Sequence, residues 1–164
     1  MATPHWTPQK STTLSIVCTW IALAGAVAVA AVLPVGAGER RPTIFTELQL
    51  AVDPGAPWRP LLATYLCLAA GAAALVILLQ VLHAIRRGDV FVAANVARLR
   101  RISYCGFAIA VVSIANALVV GSLGAWTVWG GIAIVAAFLA LIMRVVKNVI
   151  AAAVVLQEDS DYTI

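Results

Sequence analysis

The sequence predicts an all-α protein, a four-helix transmembrane bundle with a short amphipathic cytoplasmic helix between helices 2 and 3. Composition supports this class, because 63% of the 164 residues are hydrophobic, only 11% are charged and the mean hydropathy is +1.00. A soluble domain this small has too little interior to bury that much apolar surface. Lipid solvates the outside of a helical bundle, while each helix satisfies its own backbone hydrogen bonds.

Four long apolar runs are the second observation. A helix of about 20 residues crosses a hydrocarbon core of about 30 Å. The predicted spans are residues 14–35, 61–85, 102–123 and 126–147. The segments around them are an outer loop at 36–60, a cytoplasmic loop at 86–101 and a cytoplasmic tail at 148–164. We expect one transmembrane domain, with the fourth helix continuing past Lys147 and ending before the acidic residues.

The first run also admits an interpretation as a cleaved signal peptide. Lys10 precedes it, and the small residues at 35–37 match a cleavage pattern that would leave Gly38 at the mature N-terminus. Its 22 residues exceed the signal-peptide core of roughly 7 to 15 residues. We therefore expect a retained helix.

Lysine and arginine are distributed unequally between the two sides of the predicted bundle. Eight lie in the N-terminal segment, the central loop and the last turn of the fourth span, whereas three lie in the outer loop. An excess of positive charge marks the cytoplasmic side. We therefore expect a multi-pass protein of a bacterial plasma membrane, with both termini and the central loop in the cytoplasm.

The third and fourth spans carry small residues at spacings of three and four, which places them on one face of each helix. They are Gly106, Ala110, Ser113, Ala117 and Gly121 on the third span, and Gly130, Ala133 and Ala137 on the fourth. Such faces let membrane helices approach closely. Either they meet inside the monomer, which we favour, or one receives a partner helix or a second copy. Asn116, beside the third-span face, is expected to hydrogen-bond across helices, for about 1 kcal/mol.

Residues suited to catalysis, coupled transport or metal binding are sparse in the spans. None of the four spans contains Asp or Glu, which disfavours a proton-coupled transporter or pore. The three cysteines lie in different spans without a Cys-x-x-Cys pair, and His83 has only His5 as a companion. We predict no catalytic residues, no metal and no cofactor, and a protein that is not an enzyme.

The central loop is the most distinctive cytoplasmic stretch. Gly88 is expected to end the second helix in a left-handed conformation, and Asp89 to cap the next helix. Phe91 and Leu99 belong to one apolar side, which predicts a short amphipathic helix on the inner membrane surface, running into the third span.

The loop's five arginines admit three interpretations. They are Arg86, Arg87, Arg98, Arg100 and Arg101. Such residues act as a topology signal with headgroup contacts, as a docking surface for an acidic partner, or as a nucleic-acid site. We expect no direct nucleic-acid binding, because Phe91 is the one aromatic residue in the loop.

Two cytoplasmic segments carry a family resemblance. The segment Gly88-Asp89-Val90-Phe91, with Asn95 and the segment Arg98-Leu99-Arg100-Arg101-Ile102, resembles the central signature of domain-of-unknown-function family 2975. The acidic segment from Leu156 to Ile164 resembles that family's ending. The resemblance implies a small bacterial four-helix membrane protein. Members are often encoded beside a small helix-turn-helix regulator, so it also implies a membrane partner for a transcription factor.

The two signature segments define the hypothesised partner-binding face. Its residues are Asp89, Phe91, Asn95, Arg98, Arg100, Arg101, Glu158, Asp159 and Asp161. The acidic end either meets the arginines and holds this face closed, or leaves it open for a protein; such exposed pairs are individually weak. We predict a membrane protein whose cytoplasmic face binds or regulates a partner protein. The alternative is an accessory subunit packed against a larger membrane complex.

Overall fold

The computed structural model describes residues 8–38, 58–88 and 92–161, and these form four helices. Helix α1 is Pro8–Gly38, α2 is Trp58–Arg86, α3 is Ala93–Val120 and α4 is Leu123–Asp161. Segments long and apolar enough to cross a membrane are Ser11–Val32, Leu61–Arg86, Ala93–Val120 and Leu123–Leu156. The prediction of an all-α bundle with four spanning helices is confirmed. Most of the predicted outer loop, residues 39–57, lies outside the described residues.

The helices pack in the order in which they occur along the chain. Among the described residues, backbones approach closely between α1 and α2, between α2 and α3, and between α3 and α4, and between no other pair. Tyr65 on α2 donates its hydroxyl hydrogen to the Ala30 carbonyl on α1 over 3.0 Å. The bundle is therefore open, since α1 and α3 are separated by a crevice and α2 and α4 by a groove.

Helices α3 and α4 form the most extensive interface. Their backbones approach closely at Gly106, where a Cβ atom would lie 2.9 Å from the Ala140 Cβ and 3.3 Å from the Ala136 carbonyl oxygen. The buried Ser103 hydroxyl donates to the Ala140 carbonyl over 3.0 Å. Close backbone approach supplies the dispersion contacts that hold membrane helices together, because lipid gives them no hydrophobic drive to associate.

The turn between α3 and α4 is set by a glycine followed by a serine. Gly121 has φ 68°, ends α3 and donates its N–H to the Ala117 carbonyl over 2.9 Å. The Ser122 hydroxyl then accepts the Ala125 N–H over 3.1 Å, which caps α4. Helix α3 therefore ends at Val120 and α4 begins at Leu123, each three residues earlier than the sequence suggested.

The connection between α2 and α3 agrees with the sequence at one end only. Gly88, with φ 92°, follows the end of α2 in a left-handed conformation, as predicted. Val92, extended and without a side-chain cap, precedes the first residue of α3. The prediction that Asp89 caps this helix is wrong, because the cap position lies three residues later.

From Ala93 onward, the predicted amphipathic segment forms the first turns of α3, without a break before the span. Asn95 and Leu99 in this segment are only 2% and 4% exposed. These side chains therefore pack into the bundle, and the segment follows the axis of α3. From Ala93 onward it is continuous with the span and not a separate helix.

Helix α4 is longer than a membrane is thick. Its 39 residues extend about 58 Å, against a hydrocarbon core of about 30 Å. The expected continuation past Lys147 is present. The helix also runs on through Asp161, so the acidic residues lie in its last turns and not in a separate tail.

Candidate functional site

The arginines at the start of α3 divide into one that is held and two that are exposed. Arg98 is half-buried, and its Nη1 donates to the Asn95 Oδ1 over 2.9 Å. Because Asn95 is buried, this hydrogen bond fixes the direction of the Arg98 side chain. Arg100 and Arg101 are exposed. Two other residues of the hypothesised face, Asp89 and Phe91, lie outside the described residues.

The acidic end of α4 lies far from these arginines. Ala140 on α4 is level with Ser103 on α3, where the two helices are hydrogen-bonded. From that level, Glu158 lies 18 residues or about 27 Å along α4, whereas Arg98 lies five residues or about 8 Å in the same direction along α3. The axial separation of about 20 Å exceeds the reach of an arginine side chain. The open alternative is therefore favoured over a face held closed by its own charges.

One side of the extended α4 presents an apolar stripe, formed by Val145, Val149, Ala152 and Leu156. These residues are spaced by four, three and four positions, which places them on one face of the helix. All four are exposed, Val149 by 63% and Leu156 by 70%. The opposite face, toward α3, is partly covered at Lys147, Ile150 and Val154. Sequence analysis missed the stripe, although its seven-residue repeat is visible in the sequence.

A set of four cationic residues lies near the start of the apolar stripe. They are Arg100 and Arg101 on α3, and Arg144 and Lys147 on α4. The register of Ser103 with Ala140 places all four within about two turns of one level. Arg144 lies with its guanidinium carbon 5.2 Å from the centre of the Phe107 ring. Long cationic side chains concentrate at membrane boundaries, so these four residues suit a boundary near this level.

The predicted packing residues of α3 lie inside the monomer. Ala110, Ser113 and Ala117 are at most 5% exposed, and the Ser113 hydroxyl lies 3.8 Å from the Cys67 thiol of α2. On α4, Ala133 is buried, whereas Gly130 and Ala137 are half-buried. Gly121 has a different role, since it terminates α3. The small-residue face of α3 is therefore used largely within the chain.

Asn116 does not make the expected hydrogen bond through its amide nitrogen. The residue is 7% exposed, and its Nδ2 has no hydrogen-bond partner among the described residues. The same holds for Nε1 of Trp129, which packs beside Ala117 in a small core with Ala63 and Ala125. Within the described residues, the predicted hydrogen bond across helices is therefore not made by the Asn116 amide nitrogen.

Two open cavities flank the bundle. The α1–α3 crevice, of about 790 Å³, lies over α2 and is lined by residues of α1, α2 and the start of α3. The α2–α4 groove, of about 630 Å³, lies over α3 and is almost wholly apolar. Gly71 and Gly131 line this groove, and a Cβ atom at either position would meet nothing within 4 Å. The groove therefore has unfilled space beside two helix backbones.

Side chains that could bind a metal ion do not cluster in the described parts of the chain. No group of three or more His, Cys, Asp or Glu side chains there is placed to hold a metal ion. Cys18, Cys67 and Cys105 are free thiols. His83, the described histidine of the bundle, has its Nδ1 2.8 Å from the Leu79 carbonyl of its own helix.

Comparison with known proteins gives one family and no further relative. A family model described as "Protein of unknown function (DUF2975)" matches residues 3–164, essentially the whole chain. Comparison with curated proteins and with solved structures gives no match.

Proposed function

The chain belongs to the DUF2975 family of proteins of unknown function, and on that premise we propose a non-enzymatic multi-pass membrane protein whose cytoplasmic face binds a soluble regulatory protein. The membrane is the bacterial plasma membrane. Both termini and the arginine segment lie in the cytoplasm, because eight of the eleven Lys and Arg residues are on that side.

The apolar stripe on α4 is the observation that carries the proposal. In the proposed topology the cations at Arg144 and Lys147 lie at the membrane boundary, so Val149 and Leu156 have no lipid to cover them. Burying one such side chain contributes about 1.5–3 kcal/mol. A stripe at heptad spacing suits a partner that supplies an apolar helix or groove.

Charges at both ends of the stripe favour a defined orientation of that partner. Arg100 and Arg101 lie at the membrane end, and Glu158, Asp159 and Asp161 lie in the last turn of α4. Opposite charges set about 20 Å apart can steer a partner with the complementary pattern. The partner we propose is a helix-turn-helix transcription regulator, which this chain would hold at the membrane without itself binding nucleic acid.

A matched pair of variants tests this proposal. Leu156→Asp places a charge in the stripe, whereas Val155→Asp places the same charge one residue earlier and about a quarter turn away. Affinity for a purified helix-turn-helix regulator would be measured with the full chain in detergent. We expect Leu156→Asp to weaken binding by about 30-fold or more and Val155→Asp to have a much smaller effect. Equal affinities, or no binding by the unsubstituted chain, would contradict the proposal.

The α2–α4 groove supports a second candidate function, that of an accessory subunit in a larger membrane complex. A transmembrane helix with small or flat side chains could fill the space beside Gly71 and Gly131. Gly71→Leu with Gly131→Leu would fill the groove from within. Loss of co-migration with large membrane subunits in that double variant would favour this candidate. Binding of the soluble regulator should be unchanged in the same variant.

A further inference from the structure

The polarity of the α1–α3 crevice changes along its length. Near the α2–α3 connection its wall carries Arg87 and Arg98, followed by Gln80. Farther along, the lining is apolar and includes Val76 and Trp20. Val76 precedes Arg87 by eleven residues, so the two ends lie about 16 Å apart along α2. The crevice therefore runs from a cationic end at the membrane boundary to an apolar end within the bilayer.

The two arginines are placed to act on one group. The contact between Cys67 and Ser113 sets the register of α2 against α3. From that level, Arg87 and Arg98 differ by about 8 Å along the axes, which two long side chains can close. Arg98 is held by the buried Asn95 through one of its five N–H groups, so others remain to bind a ligand. No carboxylate occurs among the lining residues that the structure describes.

We propose that the α1–α3 crevice binds an anionic phospholipid, with the phosphate between Arg87 and Arg98 and an acyl chain along Val76, Leu79 and Trp20. Arginine binds phosphate through paired, charge-assisted hydrogen bonds. Basic pockets between membrane helices bind such headgroups, and each cation near an anionic surface contributes about 1 kcal/mol. The site shares Arg98 with the partner face but is separate from the apolar stripe on α4, and it does not depend on the proposed regulator.

The apolar end of the crevice distinguishes a lipid from a soluble anion. Inorganic phosphate would contact only the cationic end and would gain nothing from Trp20 or Leu79. A neutral phospholipid would gain the apolar contacts but not the full attraction of two arginines. A lipid that joins a phosphate, a net negative charge and an acyl chain matches both ends at once.

Two double variants with the same change in charge test the proposal. Arg87→Gln with Arg98→Gln removes the cations that line the crevice. Arg86→Gln with Arg100→Gln removes their neighbours in the sequence, which are exposed and do not line it. Native mass spectrometry of the full chain would measure bound phosphatidylglycerol relative to phosphatidylcholine with the same acyl chains. No partner protein is present, so the result is independent of the proposed function.

We expect the crevice double variant to lower the preference for phosphatidylglycerol by about 25-fold, which is about fivefold per arginine. The control double variant should change it by less than about twofold, and excess inorganic phosphate should not displace the lipid. Trp20→Ala should lower retention of both lipids. Arg98→Lys keeps the charge but loses the paired hydrogen bonds, so its loss of preference should be smaller than that of Arg98→Gln. Circular dichroism of each variant would establish that the helices are intact.

Three results would overturn the proposal. Equal losses in the two double variants would mean that the arginines attract anionic lipid only as a general surface charge. Displacement of bound phosphatidylglycerol by excess inorganic phosphate would indicate a site for soluble anions. Retention unchanged by Trp20→Ala would show that no acyl chain occupies the apolar end.

Discussion

Replacing Gly106 by alanine tests the α3–α4 interface most sharply. The added Cβ would lie 2.9 Å from the Ala140 Cβ, which is fixed to the backbone and cannot turn away. Overpacking of this kind costs about 1–3 kcal/mol, while alanine in place of glycine within a helix returns up to about 1 kcal/mol. We therefore expect a net loss of about 1 kcal/mol. Gly131→Ala is the matched control, since its Cβ would meet nothing within 4 Å and the helix preference should stabilise the chain.

Unfolding of the two variants in mixed detergent, followed by circular dichroism, would measure this difference. The expected gap between Gly106→Ala and Gly131→Ala is about 2 kcal/mol, with opposite signs relative to the unsubstituted chain. Adding Ala140→Gly to Gly106→Ala should recover part of the loss, because the tightest contact is removed while the Ala136 carbonyl remains near. If both glycine variants stabilised the chain equally, the close backbone approach of α3 and α4 would be refuted.

Two further predictions concern the cap of α4 and the arginines of the partner face. Ser122→Ala removes the cap of α4 and should lower the free energy of unfolding by about 1 kcal/mol. Thr127→Ala is the control, because its hydroxyl bonds within its own helix, and it should change the free energy by less than about 0.5 kcal/mol. The same detergent titration measures both variants, and equal effects would argue against the cap. The second prediction concerns Arg98, Arg100 and Arg101 of the partner face. Exchanging all three for glutamate should abolish capture of the regulator in a pull-down from purified components. Unchanged capture with unchanged topology would reject their role in docking.

Hydropathy along the sequence was sufficient to predict the four spans, because an unbroken apolar run of about 20 residues is typical of membrane helices and rare elsewhere. The turn between α3 and α4 was also readable, yet it was placed too late in the sequence. Gly121 followed by Ser122 combines the residue that ends helices with one that begins them. The error arose because an apolar run continues through both residues, so hydropathy alone gives no boundary there.

Packing partners were less predictable than helices. Gly106 and Gly131 are the same residue type in similar surroundings, but only Gly106 lies against a neighbouring backbone. Asn116 was expected to bond across helices, but its amide nitrogen has no partner among the described residues. Which faces meet depends on helix rotation and crossing, which the spacing of small residues does not determine.

The candidate site illustrates a different limit. Arg98, Arg100 and Arg101 stood out in the sequence, but only the structure separates the one held by Asn95 from the two that are exposed. The apolar stripe was overlooked because valine and leucine facing lipid cannot be distinguished by type from those facing a protein. Its significance follows from the length of α4, which exceeds the thickness of a hydrocarbon core of about 30 Å.

Cysteine labelling in intact cells tests the membrane topology on which the proposed function depends. Single cysteines would be introduced as Arg100→Cys, Ser160→Cys and Thr46→Cys, in a chain whose three native cysteines are replaced by alanine. A reagent that cannot cross the membrane should label only Thr46→Cys in intact cells, and the other two only after permeabilisation. Labelling of Arg100→Cys or Ser160→Cys from outside would contradict a cytoplasmic partner face.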